Sequence, residues 1–129
     1  MVLVDTSVWI ETFRKSPGLD LSALVDIEEV ATCLPVVQEV LQGFRDEKAF
    51  QTAREAMLSF PIVEELMTES LFLEAVALYR TARRQGLTLR SSVDCLIATC
   101  ALRNDLEVLH KDRDFAAISE VSALRQRAL

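Results

Sequence analysis

Five carboxylates, Asp5, Glu39, Asp94, Asp112 and Asp114, stand where a fold can most easily build chemistry. Asp5 follows Met1-Val2-Leu3-Val4 and precedes Thr6 and Ser7, so an apolar strand delivers an acid and two hydroxyls at its carboxyl end. In open α/β sheets that edge is where ligands bind. The pattern recurs where Leu106-Glu107-Val108-Leu109-His110 runs into Lys111-Asp112-Arg113-Asp114.

Each acid also has a plainer local role open to it. Asp5 with Thr6 and Ser7 can cap a helix through Trp9 and Phe13, and Ser91-x-x-Asp94 fits a capping box. Glu39 can be a solvated acid beside an apolar helix face. Taken together, however, two strands leaving one edge place Asp5 and Asp112 side by side. Glu39, a turn into the helix after a second strand, and Asp94, in the first turn of a central helix, reach the same edge. Carboxylates so crowded repel one another until a cation neutralises them, and oxygen-only donors favour magnesium or manganese over zinc or copper.

The elements that must position these acids follow from hydrophobic spacing. After a break at Ser16-Pro17-Gly18, residues 19–27 read as a short helix with Leu21, Leu24, Val25 and Ile27 inward. Residues 30–34 form a second buried strand, and Pro35 opens a helix to about Gly43 with Val36, Val37, Val40, Leu41 and then Phe44 on its apolar face. Asp46 caps a helix carrying Phe50, Ala53, Met57 and Phe60, and Pro61 stops it ahead of a short strand at Ile62-Val63. Thr68 opens a long helix ending at Gly86, with Leu71, Phe72, Ala75, Leu78, Tyr79 and Ala82 inward. Residues 95–102 are apolar nearly all round and belong at the centre. In the tail, Ile118, Val121 and Leu124 cover the sheet while Arg125 and Arg127 are solvated. This alternation predicts an α/β fold with a mostly parallel central sheet flanked by helices, one domain over residues 1–129.

Composition narrows the class further. The cysteines Cys33, Cys95 and Cys100 form no Cys-x-x-Cys pair, and His110 is the only histidine, which argues against a zinc site or a disulfide framework and for a reduced cytoplasmic protein. His110 reads as a hydrogen-bonded strand residue and is assigned no role. Neither a signal peptide nor a membrane span is expected, because the apolar start lacks a basic leader and is interrupted at Asp5. The net charge of −6 is uneven: residues 1–79 hold 5 basic and 14 acidic side chains, residues 80–129 hold 9 and 6. A nucleic-acid partner therefore stays open on the basic half, where Arg80, Arg83, Arg84, Arg90, Lys111 and Arg113 are the candidates.

At this point the residues resemble the PIN-domain ribonucleases, and within them the VapC toxins of toxin–antitoxin pairs. Val-Asp-Thr-Ser-Val-Trp-Ile at 4–10 is similar to that family's opening motif, Glu39 in Val-Val-Gln-Glu-Val-Leu-Gln-Gly to its second acid, and Asp94 in Val-Asp-Cys-Leu-Ile-Ala to its third. His-Lys-Asp-Arg-Asp-Phe at 110–115 resembles the closing motif, with Asp112 as fourth acid and Asp114 auxiliary; the family more often has threonine or serine where His110 stands.

The resemblance implies a magnesium-dependent endoribonuclease, manganese able to substitute, that hydrolyses transfer or ribosomal RNA to a 5′-phosphate and a 3′-hydroxyl. It implies Asp5 and Asp94 as first direct metal ligands, with Glu39, Asp112 and Asp114 completing the shell or orienting water. Thr6 and Ser7 would support the carboxylates or the substrate. The implied partners are a VapB-type antitoxin and a second copy, giving a homodimer inside a hetero-oligomer. The rival readings are a PIN-like module that binds RNA or protein without cleaving, marked by missing acids, and an aspartyl-phosphate phosphatase, which typically needs a second acid where Ser7 stands.

Overall fold

Four short parallel strands form the centre of the computed structural model, which describes residues 1–14 and 18–129. Strand β1 (Val2–Val4) lies between β2 (Val30–Ala31) and β3 (Glu107–His110), and β4 (Gln126–Ala128) extends the sheet beyond β3. In register, Val2 sits opposite both Val30 and Glu107, while Leu109 sits between Val4 and Arg127. The chain goes out from β1 to β2 and then crosses back to β3, so connections leave β1 and β3 on opposite sides. The carboxyl ends of those two strands thereby flank a topological switch point, where a parallel sheet opens a crevice.

Side-chain caps set most helix starts. Asp5 precedes α1 (Thr6–Phe13), Asp46 accepts from Ala49 N–H ahead of α3 (Glu47–Leu58), and Thr68 accepts from Leu71 N–H ahead of α4 (Glu69–Arg84). Ser91 caps α5 (Ser92–Arg103) and Asp112 caps α6 (Arg113–Glu120). Helix α2 (Leu34–Leu41) has no side-chain cap, and Pro35 in its first turn presets the backbone instead. The small side chains of α5, Ala98, Cys100 and Ala101, are fully buried, which lets this helix lie deep in the molecule. Around them Leu3, Val4, Met57, Leu71, Ile97, Val108, Phe115 and Ile118 are sealed from solvent, each large side chain contributing roughly 1.5–3 kcal/mol by burial. The three cysteines are free and buried. Among the described residues no helix is long and apolar enough to cross a membrane.

The structure corrects the expected elements in several places. Residues 19–27 hold two separate 3-10 turns, Leu21–Ala23 and Ile27–Glu29, because the Asp20 and Asp26 carboxylates each capture the N–H two residues on and start a new turn. Leu21 and Val25 are buried there, whereas Leu24 and Ile27 reach the surface. Of the break at Ser16-Pro17-Gly18, the first two residues lie outside the described residues. The strand expected at Ile62-Val63 is a single bridge from Ile62 to Thr32. Phe72 stands half exposed beside Leu73 and Val76, since the apolar stripe of α4 is wider than the face α5 covers. The tail adds a strand that is not among the expected elements: Leu129 N–H donates to His110 O at 2.9 Å, and β4 pairs with β3. Arg125 and Arg127 are exposed as expected, and each also pairs at the surface with an acid, Asp105 and Glu107 respectively.

Helix α4 ends on Gly86, whose φ of 78° lies in the left-handed region while Leu87 N–H returns to Ala82 O at 3.0 Å. A Cβ at Gly86 would meet nothing within 4 Å, so Gly86→Ala carries only the backbone penalty, about 1 kcal/mol. Urea unfolding should show a lower midpoint at an unchanged slope. A midpoint equal to that of the native protein would mean the left-handed turn is not needed to end α4.

Candidate metal centre

The side chains of Asp94, Asp112 and Asp114 converge beyond the end of β3, with one carboxylate oxygen from each lying within 4.8 Å of the others. Three positions deliver them. Asp94 sits in the first turn of α5, Asp112 is the residue that caps α6, and Asp114 is in the first turn of α6. Asp5 enters from the end of β1 and stands outside this tightest group, but its charge is felt at Asp94. Glu39 enters from α2, and its charge is felt at Asp5.

Hydrogen bonds tie down some of these carboxylate oxygens and leave others without a partner among the described residues. Asp114 Oδ2 accepts from Arg90 N–H at 2.8 Å and Ser91 N–H at 3.1 Å, tying α6 to the start of α5. That contact changes the meaning of the Ser91-x-x-Asp94 pattern. The Ser91 N–H that a capping box would assign to Asp94 is taken by Asp114, leaving Asp94 without that local job. Ser91 Oγ still caps, accepting from Val93 N–H at 3.2 Å.

Asp5 caps α1 and also lies close enough to Asp94 for its charge to be felt there. Its Oδ2 accepts from the N–H and the hydroxyl of Ser7, whose Oγ in turn accepts from Lys111 N–H at 2.9 Å. Ser7 therefore couples the exits of β1 and β3. Thr6 Oγ1 donates to Glu39 Oε1 at 2.8 Å and fixes that side chain across the crevice. Asp112 Oδ1 accepts from Asp114 N–H at 3.0 Å and has the Arg90 guanidinium 3.5 Å away.

The remaining oxygens are the informative ones. Asp5 Oδ1 and Asp94 Oδ2 are buried with no hydrogen-bond partner among the described residues. Orphaned carboxylate oxygens are costly unless something unseen satisfies them. The electrostatics agree. Burial first, and then the charge of Asp112, push Asp94 up to about 9, and burial likewise raises Asp5 above the usual carboxylate range. A divalent cation with oxygen ligands at about 2.0–2.6 Å fits the spread of the Asp94, Asp112 and Asp114 oxygens and would relieve the penalty on Asp94. Cys95, near enough to the cluster to feel the charges of Asp94 and Asp114, is held as a thiol chiefly by burial, its pKa raised to about 11.

Arg90, His110 and Asp114 are named from the sequence, but three contacts they make at the cluster are not anticipated there. Arg90 reaches Asp112 from the loop before α5, His110 Nδ1 accepts from Asp112 N–H at 3.2 Å, and the Asp114 brace spans 24 residues. A basic residue immediately before a capping serine was the available signal for Arg90. The other two depend on how α5 and α6 meet.

Comparison with known proteins agrees with this architecture. A family model described as the PIN domain matches residues 2–121. The chain is similar to VapC ribonuclease Mb1587 of Mycobacterium bovis and to ribonuclease VapC11 of Mycobacterium tuberculosis, each 34% identical over 97% of this chain and 96% of the relative. Among solved structures, VapBC2 from Rickettsia felis bound to a promoter DNA fragment superposes with a TM-score of 0.78 at 16% identity, covering 100% of this chain and 99% of that one. The DNA-bound VapBC of Salmonella typhimurium gives 0.77 at 13% identity, covering 99% and 98%. At those identities the superpositions speak to fold alone.

The raised Asp94 makes metal-free stability depend on pH with a definite sign. The group ionises near 3.8 when unfolded and near 9 when folded. Its favourable contribution is therefore complete below about pH 4 and declines progressively up to about pH 9, as the unfolded chain sheds a proton that the fold retains. Thermal melting in chelator should show this decline in the native protein and a shallower one in Asp94→Asn, which should melt at least about 3 °C higher at pH 8. A variant that melts lower at pH 8 would reduce Asp94 to a helix-start residue.

Proposed function

The chain belongs to the PIN-domain family as a relative of the VapC ribonucleases, and we propose that it is a divalent-cation-dependent endoribonuclease, the toxin of a type II toxin–antitoxin pair. The observation that carries the catalytic reading is the pair of buried oxygens on Asp5 and Asp94, beside Asp112, that have no hydrogen-bond partner among the described residues. A non-catalytic module would have no reason to keep this unpaired set, which burdens the fold without a cation.

Asp5, Asp94 and Asp112 would hold the cation, magnesium or manganese, and Asp114 would add one oxygen while its other braces α5. Bound there, the cation supplies Lewis acidity toward the scissile phosphate and lowers the pKa of the attacking water. The chain's own groups do the rest. Thr6 anchors Glu39 by one oxygen, leaving Oε2 to accept a proton from water and align it. Ser7 keeps Asp5 in register with Lys111, so the two strand exits hold a fixed separation. Arg90, more than half exposed and at the rim of the acids, is placed to meet a substrate phosphate.

Transfer or ribosomal RNA is the proposed substrate, and the reduced cysteines fit action in the cytoplasm. For the antitoxin, the Arg90–Asp112 contact is a precedent for a guanidinium at the acid rim. An inhibitory arm that sets an arginine among these carboxylates would compete with the cation, in a complex built on toxin dimers.

Cleavage of structured RNA should occur with magnesium or manganese and stop in excess chelator. Asp5→Asn, Asp94→Asn and Asp112→Asn should each lower the rate by roughly 100-fold or more, as expected when charge stabilisation is removed from the reacting centre. Undiminished cleavage in chelator would remove the mechanism, and a native protein inert on RNA with either metal would favour the binding-module reading.

RNA binding by so acidic a chain should rest on the basic half. Arg80, Arg83 and Arg84 are exposed in the last turns of α4. Replacing all three with glutamine should reduce the logarithmic salt slope by about 2, near 0.7 for each phosphate no longer neutralised. Filter binding across a salt series reads this directly, and an unchanged slope would exclude α4 from the RNA path.

A further inference from the structure

His110 is sealed in the molecule at 2% exposure, and both its ring nitrogens are engaged. Nδ1 lies 3.2 Å from the backbone nitrogen of Asp112, and Nε2 lies 2.6 Å from Gln126 Oε1 on β4. The backbone N–H of Asp112 can only donate, so Nδ1 must be the unprotonated nitrogen of a neutral ring. The proton then resides on Nε2, where the Gln126 carbonyl oxygen accepts it. The ring also packs on Phe115, in the first turn of α6, with centroids 5.2 Å apart. Two of these three contacts, to Asp112 and to Phe115, fall on the segment that aims the Asp112 carboxylate, and the third ties the ring to β4.

From this geometry we infer that His110 is a positioning residue for the metal centre: it holds the backbone of Asp112 through Nδ1, while Gln126 on the final strand fixes the ring's tautomer. Donor satisfaction is the physical reason. Asp112 caps α6 with an extended backbone, φ −137° and ψ 123°, and its own N–H turns to the His110 ring. Without an acceptor it would be an unpaired donor beneath the site, free to satisfy itself only by rotating the residue that carries the ligand. A flipped tautomer would place an N–H against an N–H and push the segment away. Gln126 excludes that state by offering an acceptor to Nε2. It lies beyond the 2–121 span matched by the family model, so the last strand of this chain acts on the site through one ring. Outer contacts that orient a metal ligand typically alter metal affinity by about 10–100-fold.

This role rests on the nuclease reading, and two substitutions that keep opposite halves of the imidazole separate them. In His110→Asn the amide oxygen occupies the place of Nδ1 and still accepts from Asp112 N–H, but nothing reaches Gln126. In His110→Gln the amide reaches toward Gln126, but Asp112 N–H is left unpaired. Mn2+ titration of the full chain by calorimetry should give His110→Asn an affinity within about 3-fold of the native protein and His110→Gln one weakened about 10-fold or more. RNA cleavage should follow in kcat with KM unchanged. A long-range nitrogen–proton NMR spectrum of the metal-free native protein should show the proton on Nε2 and none on Nδ1.

Equal Mn2+ affinities in the two variants, or a proton on Nδ1, would overturn the positioning role. Should neither variant fold, the imidazole spectrum of the native protein decides alone. A native protein that binds no Mn2+ would instead sink the nuclease reading.

Discussion

Burying like charges side by side is the constraint on which the rest of this molecule depends. Asp5, Asp94 and Asp114 are each almost wholly withdrawn from solvent, and two of them keep an oxygen that no described protein group satisfies. A fold gains nothing from such an arrangement by itself, since desolvation and mutual repulsion both favour the protonated acids. A bound cation inverts that balance. The burial, and after it the crowding, that raise Asp94 in the metal-free protein are what suit the site to a hard, divalent ion.

Holding the acids against that repulsion requires neighbours that cannot yield, and the chain supplies them mainly from its backbone. The N–H groups of Arg90 and Ser91 lock Asp114, the Ser7 hydroxyl relays Asp5 to Lys111, and Thr6 fixes Glu39. These groups belong to helix starts and strand ends packed on one core, so none shifts without disturbing buried apolar contacts. Local capping and site building are here the same interactions. Asp5 and Asp112 cap α1 and α6 with one carboxylate oxygen and keep the other for the crevice. The positive end of a helix dipole beside each acid also lessens the cost of keeping it ionised there.

The switch-point geometry explains why the cluster forms at this edge. Because β1 and β3 are neighbours while their connections depart to opposite sides, a crevice opens above their carboxyl ends. Helix α5, narrow with alanine and cysteine, lies deep enough for Asp94 to enter from below. The basic side chains of α4 and the loop before α5 lie in the same half of the sequence as Asp94, Asp112 and Asp114, and Arg90 reaches the rim of those acids.

What the sequence alone determined is whatever depends on near neighbours in the chain. The strands at 2–4 and 107–110, the caps Asp46 and Thr68, the glycine end of α4 and the buried character of α5 follow from periodicity and from hydrogen bonds spanning a few residues. The family motifs around Asp5, Glu39, Asp94 and Asp112 were legible for the same reason, because each sits at or near an element boundary with its own local signature. Only the tertiary structure decided the rest. Strand β4 was hidden, since Gln126-Arg127-Ala128 carries no β-branched or aromatic residue and owes its pairing to the exposed edge of β3. The sequence left Asp94 a local capping bond, and in the structure Asp114 takes the backbone donor that this bond would have used, across 23 residues from Ser91. A one-dimensional pattern can show that an acid is able to cap or to ligate. Which of the two it does depends on which distant group has already claimed the competing hydrogen bond, and that is settled only when the helices pack.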